Sequence, residues 1–154
     1  MTYNDLRKGR ASLFGHVYLV TTVTAYRRPL FTDLAVGRYI VNAMRAQDLA
    51  GNTTTLAYVV MPDHVHWLLE LTARMPLAII MRRFKGATAR YTNIVNGGSG
   101  AVWQPSFHDH AVRSDESLVD IARYAIMNPI RAGLAGRIGD YPLWDAVWDM
   151  SESM

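Results

Sequence analysis

The segment from Leu56 to Glu70, LAYVVMPDHVHWLLE, constrains the fold more than any other: two apolar runs flank Pro62-Asp63, a turn signal between strands. A strand repeats its side-chain direction every second residue. His64 and His66 therefore leave one face of the returning strand, while Val65, Trp67 and Leu69 leave the other. A sheet built on this hairpin must bury one face and carry two imidazoles side by side on the opposite one. Two such histidines are by themselves ordinary polar surface. They become a metal site only if further ligands converge on them.

A second constellation follows in SDESLVDIARYAIMNPIRAGL. Ser114, with Asp115 and Glu116 behind it, reads as a helix start with a small oxygen-bearing cap and acids in the first turn. Leu118, Ile121, Ala122, Ala125 and Ile126 recur at three- and four-residue steps, and Pro129 limits the run because it pushes the residue before it out of helical geometry. Tyr124 and Asn128 then stand four apart on one helix face. Tyrosine attack on a phosphodiester would use this arrangement. A phenol is only about one part in a thousand ionised at neutral pH, so it needs a strongly polarised electrophile. A divalent metal held by His64, His66 and the side-chain oxygen of Asn128 would supply that polarisation. Carboxamide and imidazole ligands with open positions suit Mg²⁺ or Mn²⁺, although imidazole alone also accepts zinc.

These residues carry a resemblance. GHVYLVTTVTAYRRPLF, YVVMPDHVHWLLE, MRRFKGATARYTN, WQPSFHDHAVRSDESL and YAIMNPIRAGLAGRIGDYPLWDA, in that order, resemble the single-tyrosine HUH transposases, and among them the branch associated with repetitive extragenic palindromes (REP). The resemblance covers most of the chain. It implies a metal-dependent nuclease and strand transferase on single-stranded DNA, with His64 and His66 as metal ligands, Asn128 as the third ligand and Tyr124 as the nucleophile. The implied product is a 5′-phosphotyrosine with a free 3′-hydroxyl that can reverse the step. One departure is Ala125, where the family often carries a larger apolar residue. Tyr91, on the basic helix, is the next candidate nucleophile.

Composition narrows the setting. The chain has 154 residues, half of them hydrophobic, which is enough for one globular domain with a single core. It has no cysteine, hence no disulfide framework and no thiolate metal site. No stretch is long and uncharged enough to span a bilayer, and the N-terminus lacks the apolar core of a signal peptide, so a cytoplasmic protein is expected. The resemblance implies a bacterial one, associated with the nucleoid through DNA.

The net charge is only +3, but between Glu70 and Asp109 there is no acidic residue. That stretch includes Arg82, Arg83, Lys85 and Arg90 on a helix from about Leu77 to Val95, expected to present a phosphate-facing surface. Arginine's planar fork suits phosphate and guanine edges. Acids gather instead near the end, at Asp140, Asp145, Asp149 and Glu152, interleaved with Trp144 and Trp148. DNA would repel such a tail, so from about residue 140 it is expected to pack on the fold or hang free.

Patterns along the chain give strands over 16–24, 53–61, 64–71 and 107–113, and helices over 33–49, 76–96 and 115–127. The order strand, helix, strand, strand, helix, strand is that of an α+β ferredoxin-like split βαβ domain, an antiparallel sheet with helices packed on one face. The last helix is expected to bring Tyr124 over the histidine-bearing strand. Gly97 to Gly100 lacks phosphate-loop spacing and reads as a connector. In FHDHAVR, His108 is placed near the active site and His110 on the surface.

The resemblance also implies the substrate: a DNA hairpin with a short single-stranded guide segment at its foot. Arg7, Lys8 and Arg10 are expected on the guide segment, and Tyr26, Arg27 and Arg28 on the stem. A monomer is favoured over a dimer. Two rival readings remain, a hairpin-binding relative that no longer cuts and a zinc hydrolase that activates water.

Overall fold

The computed structural model describes residues 15–150. Its centre is a five-stranded antiparallel sheet of β1 (Val17–Val23), β2 (Thr53–Val60), β3 (His64–Leu71), β4 (His108–Ala111) and β5 (Trp144–Ala146). The spatial order is β4-β1-β3-β2-β5. The first four strands thus have the ferredoxin-like order, with β1 and β3 in the middle. Helix α1 (Leu34–Leu49) links β1 to β2, and α2 (Leu77–Asn96) links β3 to β4. Asp33 caps α1 by accepting from the Ala35 amide at 2.7 Å, and α2 stops at Gly97, whose φ of +64° is one glycine tolerates.

Period-two alternation divides the sheet into two faces with different tasks. Tyr18, Val20, Val65, Trp67, Leu69 and Leu71 are buried on one face, where they meet Ile40 and Met44 of α1 and Ile80, Met81 and Phe84 of α2. Burial of side chains this large contributes about 1.5–3 kcal/mol each, so this layer dominates stability. The polar end of Trp67 is satisfied by Thr55 Oγ1 at 2.9 Å. Across the opposite face runs a smaller cluster in which Ala57 and Leu68 pack with Ala122 and Ile126. Those last two belong to α3 (Leu118–Ile126), which is followed by the single turn α4 (Asn128–Arg131).

The two crossover helices share one face as expected, but α3 lies on the other, the histidine face. The reason is in β3 itself. If Val65, Trp67 and Leu69 are to be covered by α1 and α2, any element that reaches His64 and His66 must come from behind.

The C-terminal region adds what periodicity alone did not suggest. Trp144 to Ala146 form a short edge strand on β2, with Ala57 opposite Ala146 and Val59 opposite Trp144. Trp144 donates from its indole to the Ile138 carbonyl at 2.9 Å, and Trp148 and Met150 pack into the second cluster. The acidic segment is therefore fastened to the fold through Met150. Glu152 lies outside the described residues.

Candidate active site

His64 and His66 leave the same face of β3, with ring centres 4.9 Å apart and planes at 83°. Each ring is held through its Nδ1. That of His64 lies 2.7 Å from Asp63 Oδ1, and that of His66 lies 2.8 Å from Thr21 Oγ1 on the neighbouring strand. Among the described residues neither Nε2 has a partner, which is the arrangement of ligating imidazoles oriented by outer hydrogen bonds. Burial, then the nearby His64, then the positive charge of Arg131 push the pKa of His66 down from 6.5 to about 4. The ring is neutral at pH 7, the form that binds a cation.

Tyr124 lies in the last turns of α3. The buried stripe of this helix, Ala122, Ala125 and Ile126, seats it on Leu68, the next residue of β3 on the histidine face. Ala125 is 3% exposed, so the small residue noted in the sequence lets the helix lie close. The Tyr124 ring is 69% exposed. It lines a cleft of about 360 Å³ with Leu19 and His110 of the sheet and Ser117, Asp120 and Ile121 of its own helix.

Arg131 packs on this tyrosine. Its guanidinium lies 4.1 Å from the centre of the Tyr124 ring, and its Nη2 donates to the Tyr124 carbonyl at 2.7 Å. The same charge is felt by His66. Asn128 opens α4 and donates from Nδ2 to the Ala125 carbonyl at 2.8 Å, which leaves Oδ1 without a partner among the described residues. No cluster of three His, Cys, Asp or Glu side chains is present among those residues. The donors that His64, His66 and Asn128 offer are two imidazole nitrogens and a carboxamide oxygen. Three ligands of that kind suit a hard ion with exchangeable positions.

The helix start differs from the sequence reading. Ser117, not Ser114, caps α3, accepting from the Asp120 amide at 3.3 Å. Glu116 is occupied elsewhere: both its oxygens lie 2.9 Å from His110 Nε2, and it accepts from the Arg113 amide at 2.9 Å. His110 is half-exposed, as expected, but it pins the entrance of the tyrosine helix to β4. His108 sits opposite Thr21, which sits opposite His66, so the three form one row across the sheet. Its placement near the site follows from that register.

The expected DNA-contacting cations separate into groups. Arg82, Arg83 and Arg90 are exposed, but α2 covers the face opposite the histidines, so they cannot reach the same phosphate as Tyr124. Lys85 is not phosphate-facing: its Nζ donates to the carbonyls of Gln104 and Ser106 at 2.7 and 3.3 Å, and burial lowers its pKa. Arg28 is exposed but engaged by the Ala101 and Ala25 carbonyls, while Arg27 pairs with Asp63 at 3.2 Å. Arg7, Lys8 and Arg10 lie outside the described residues. Tyr91 stacks on Tyr39 with ring centres 4.0 Å apart, between α1 and α2 and behind the sheet. It is not placed to serve as the nucleophile. The clamp that sequence reading passed over is Arg131, whose one available signal was its position two helical turns after Tyr124.

The family model described as "Transposase IS200 like" matches residues 12–128, and the chain belongs to that family. Within it, a REP-associated tyrosine transposase of Escherichia coli K12 is 27% identical over 86 residues, 56% of this chain and 50% of that one. The chain spans about half the length of the curated relatives it matches. Among solved structures, a REP-associated tyrosine transposase bound to a REP hairpin superposes with a TM-score of 0.66 at 23% identity, over 85% of this chain and 76% of the other. A Deinococcus radiodurans R1 protein described as a transposase superposes with a TM-score of 0.55 at 25% identity, over 72% and 88%. Among the described residues no helix is long and apolar enough to cross a membrane.

Proposed function

We propose that this protein cleaves and rejoins single-stranded DNA beside REP-like hairpins, through a covalent 5′-phosphotyrosine on Tyr124. The observation that carries the reading is the seating of the Tyr124 helix on Leu68, on the same face of β3 from which His64 and His66 leave. A bound Mg²⁺ or Mn²⁺ would polarise the scissile phosphate and neutralise charge that develops on its oxygens. His64 and His66 would hold that ion through Nε2, kept in orientation by Asp63 and Thr21, with Asn128 Oδ1 as third ligand. Tyr124 supplies the phenolic oxygen. It forms the bond to phosphorus, its proton goes to solvent, and the 3′ oxygen departs with the bond's electron pair and takes up a proton. Attack by a 3′-hydroxyl on the phosphotyrosine reverses each of these changes, so cutting and joining need no external energy source. Arg131 holds the ring in place and sets a cation beside the attacking group. Exposed arginines, Arg27 near the histidines and Arg82, Arg83 and Arg90 on the far layer, offer phosphate contacts to a substrate that wraps the domain. The protein is proposed to act as a monomer in the cytoplasm.

The test is incubation with an end-labelled hairpin carrying unpaired flanks, with Mn²⁺ or with EDTA, followed by a denaturing gel. The expected result is a metal-dependent, protease-sensitive adduct that Tyr124→Phe abolishes while binding persists. Cut DNA without an adduct would point to activated water. Binding without cleavage would leave a hairpin-gripping relative.

A further inference from the structure

We propose that Tyr26 is a stacking platform for an unpaired base beside the scissile phosphate, an inference that rests on the DNA-cleaving reading above. Tyr26 is 93% exposed, the most exposed large apolar side chain among the described residues. Its φ is +59° and that of Arg27 is +52°, so two consecutive residues with side chains occupy the left-handed region that such residues avoid. The surroundings impose this. Thr24 Oγ1 donates to the Arg28 carbonyl at 2.8 Å and to the Asp63 carbonyl at 3.1 Å. Arg28 donates to the Ala101 carbonyl at 2.6 Å and to the Ala25 carbonyl at 3.3 Å, and Arg27 to Asp63 Oδ2 at 3.2 Å. An apolar ring turned into water by a backbone shape that must be held in place is unfavourable for the fold, and such strain collects where a ligand is met.

The position of the loop identifies the ligand. Asp63 anchors Arg27 with one carboxylate oxygen and His64 Nδ1 with the other, at 2.7 Å. Val23, three residues before Tyr26, is the strand partner of His64. The loop that carries the ring therefore stands at the rim of the histidine site. Beside it the Arg27 side chain, 64% exposed within its ion pair, is available to a backbone phosphate. An aromatic face next to a cation takes a single-stranded nucleotide whatever its sequence, because every base has a face to stack. Bases inside a duplex stem have none to offer, so the occupant is unpaired.

The test uses the non-cleaving Tyr124→Phe chain as parent, alone and with Tyr26→Ala, Tyr26→Trp or Tyr26→Gly. Each is titrated with a blunt hairpin and with the same hairpin carrying a single-stranded flank, 2-aminopurine replacing one unpaired base at a time. Fluorescence quenching at one position is expected with tyrosine or tryptophan at position 26 and not with alanine or glycine. Affinity for the flanked hairpin should fall about tenfold in the alanine and glycine variants, with the blunt hairpin bound as before. Glycine also relieves the left-handed backbone, so that variant should melt about 2–4 °C above its parent while binding less well, which separates lost stacking from damage to the fold. An alanine variant that quenches and binds like the parent overturns the inference, as does equal loss on blunt and flanked hairpins. A parent that binds neither hairpin overturns the cleaving reading, and this inference with it.

Discussion

The guanidinium of Arg131 lies over the ring of Tyr124 at 4.1 Å and bonds the carbonyl of the same residue at 2.7 Å. One side chain thus fixes the end of α3 and the direction of the phenol together. A cation over an exposed ring contributes only about 0.5–1 kcal/mol, so its value lies in placement more than in stability. Arg131→Ala should leave the melting temperature nearly unchanged and slow adduct formation on a flanked hairpin about tenfold, a barrier change of about 1.4 kcal/mol. Arg131→Lys should recover only part of the rate, because an ammonium cannot stack as a plane. Single-turnover assays on denaturing gels decide. Equal rates for all three chains would make the contact incidental.

His66 makes stability depend on pH in a defined window. Its folded pKa is lowered from 6.5 to about 4. The unfolded chain therefore binds a proton more readily below pH 6.5, and the folded state loses stability as pH falls from there towards 4. The slope is at most about 1.4 kcal/mol per pH unit. His66→Asn removes the titrating ring and should flatten that part of the curve in urea unfolding measured from pH 7 to 4. A variant whose curve keeps the wild-type slope would show that the ring is not the source.

The hairpin, the two histidines on one face and the helix bearing Tyr124 were legible in the sequence because each follows from a strict period, two for the strand and 3.6 for the helix. Which layer the last helix joins was also implicit, since Val65 and Trp67 commit the other face to the core. Less visible was anything set by tertiary partners. Leu56 is an extra residue at a β-bulge between Thr55 and Ala57, and it turns Ala57 to the histidine face, where simple alternation would have sent it to the core. Lys85 reads as a DNA-binding cation because charge patterning cannot see the backbone carbonyls that claim it. Glu116 has the composition of a first-turn acid. Only the fold brings His110 within its reach.

That pairing yields a second pH effect. The Glu116 carboxyl is held below its ordinary range chiefly by the Arg113 amide, then by His110. A depressed carboxylate stabilises the fold above its unfolded pKa, and the contribution is lost as pH falls through the lower folded value. At pH 7 the contact is fully formed. Glu116→Gln should therefore mimic acid, loosening the start of α3 without unfolding the sheet. Hydrogen exchange should quicken at 117–124 and stay unchanged in β1 and β3. Exchange that quickens equally in the central strands would mean that the contact supports the whole domain.

Metal removal gives an independent reading of the two imidazoles. An ion that binds only the folded state raises stability by about 2.7 kcal/mol when present at a hundred times its dissociation constant. Mn²⁺ should raise the melting temperature of the DNA-free protein and EDTA should reverse the rise. His64→Ala and His66→Ala should each abolish it, and Asn128→Ala should reduce it. Tyr124→Phe should respond to Mn²⁺ as the wild type does. A rise that survives both histidine substitutions would put the ion elsewhere.

Docking of the tyrosine helix rests on few apolar groups, so its loss should be separable from loss of the fold. Ile126 is fully buried and packs with Leu68 and Ala57 on the histidine face, apart from the larger core formed with α1 and α2. Ile126→Ala should cost about 2–5 kcal/mol, the usual range for a large aliphatic side chain cut back in a packed site. Domains of this size have about 5–15 kcal/mol in hand, so the sheet and its crossover helices should persist. The tyrosine would then visit its working position only part of the time. Adduct formation should fall more steeply than hairpin binding, which is proposed to draw also on cations of the opposite layer. Urea unfolding and a binding titration on the same preparation separate the two effects. If adduct formation stays at the wild-type rate despite the lost stability, α3 does not have to rest on Leu68 for Tyr124 to act.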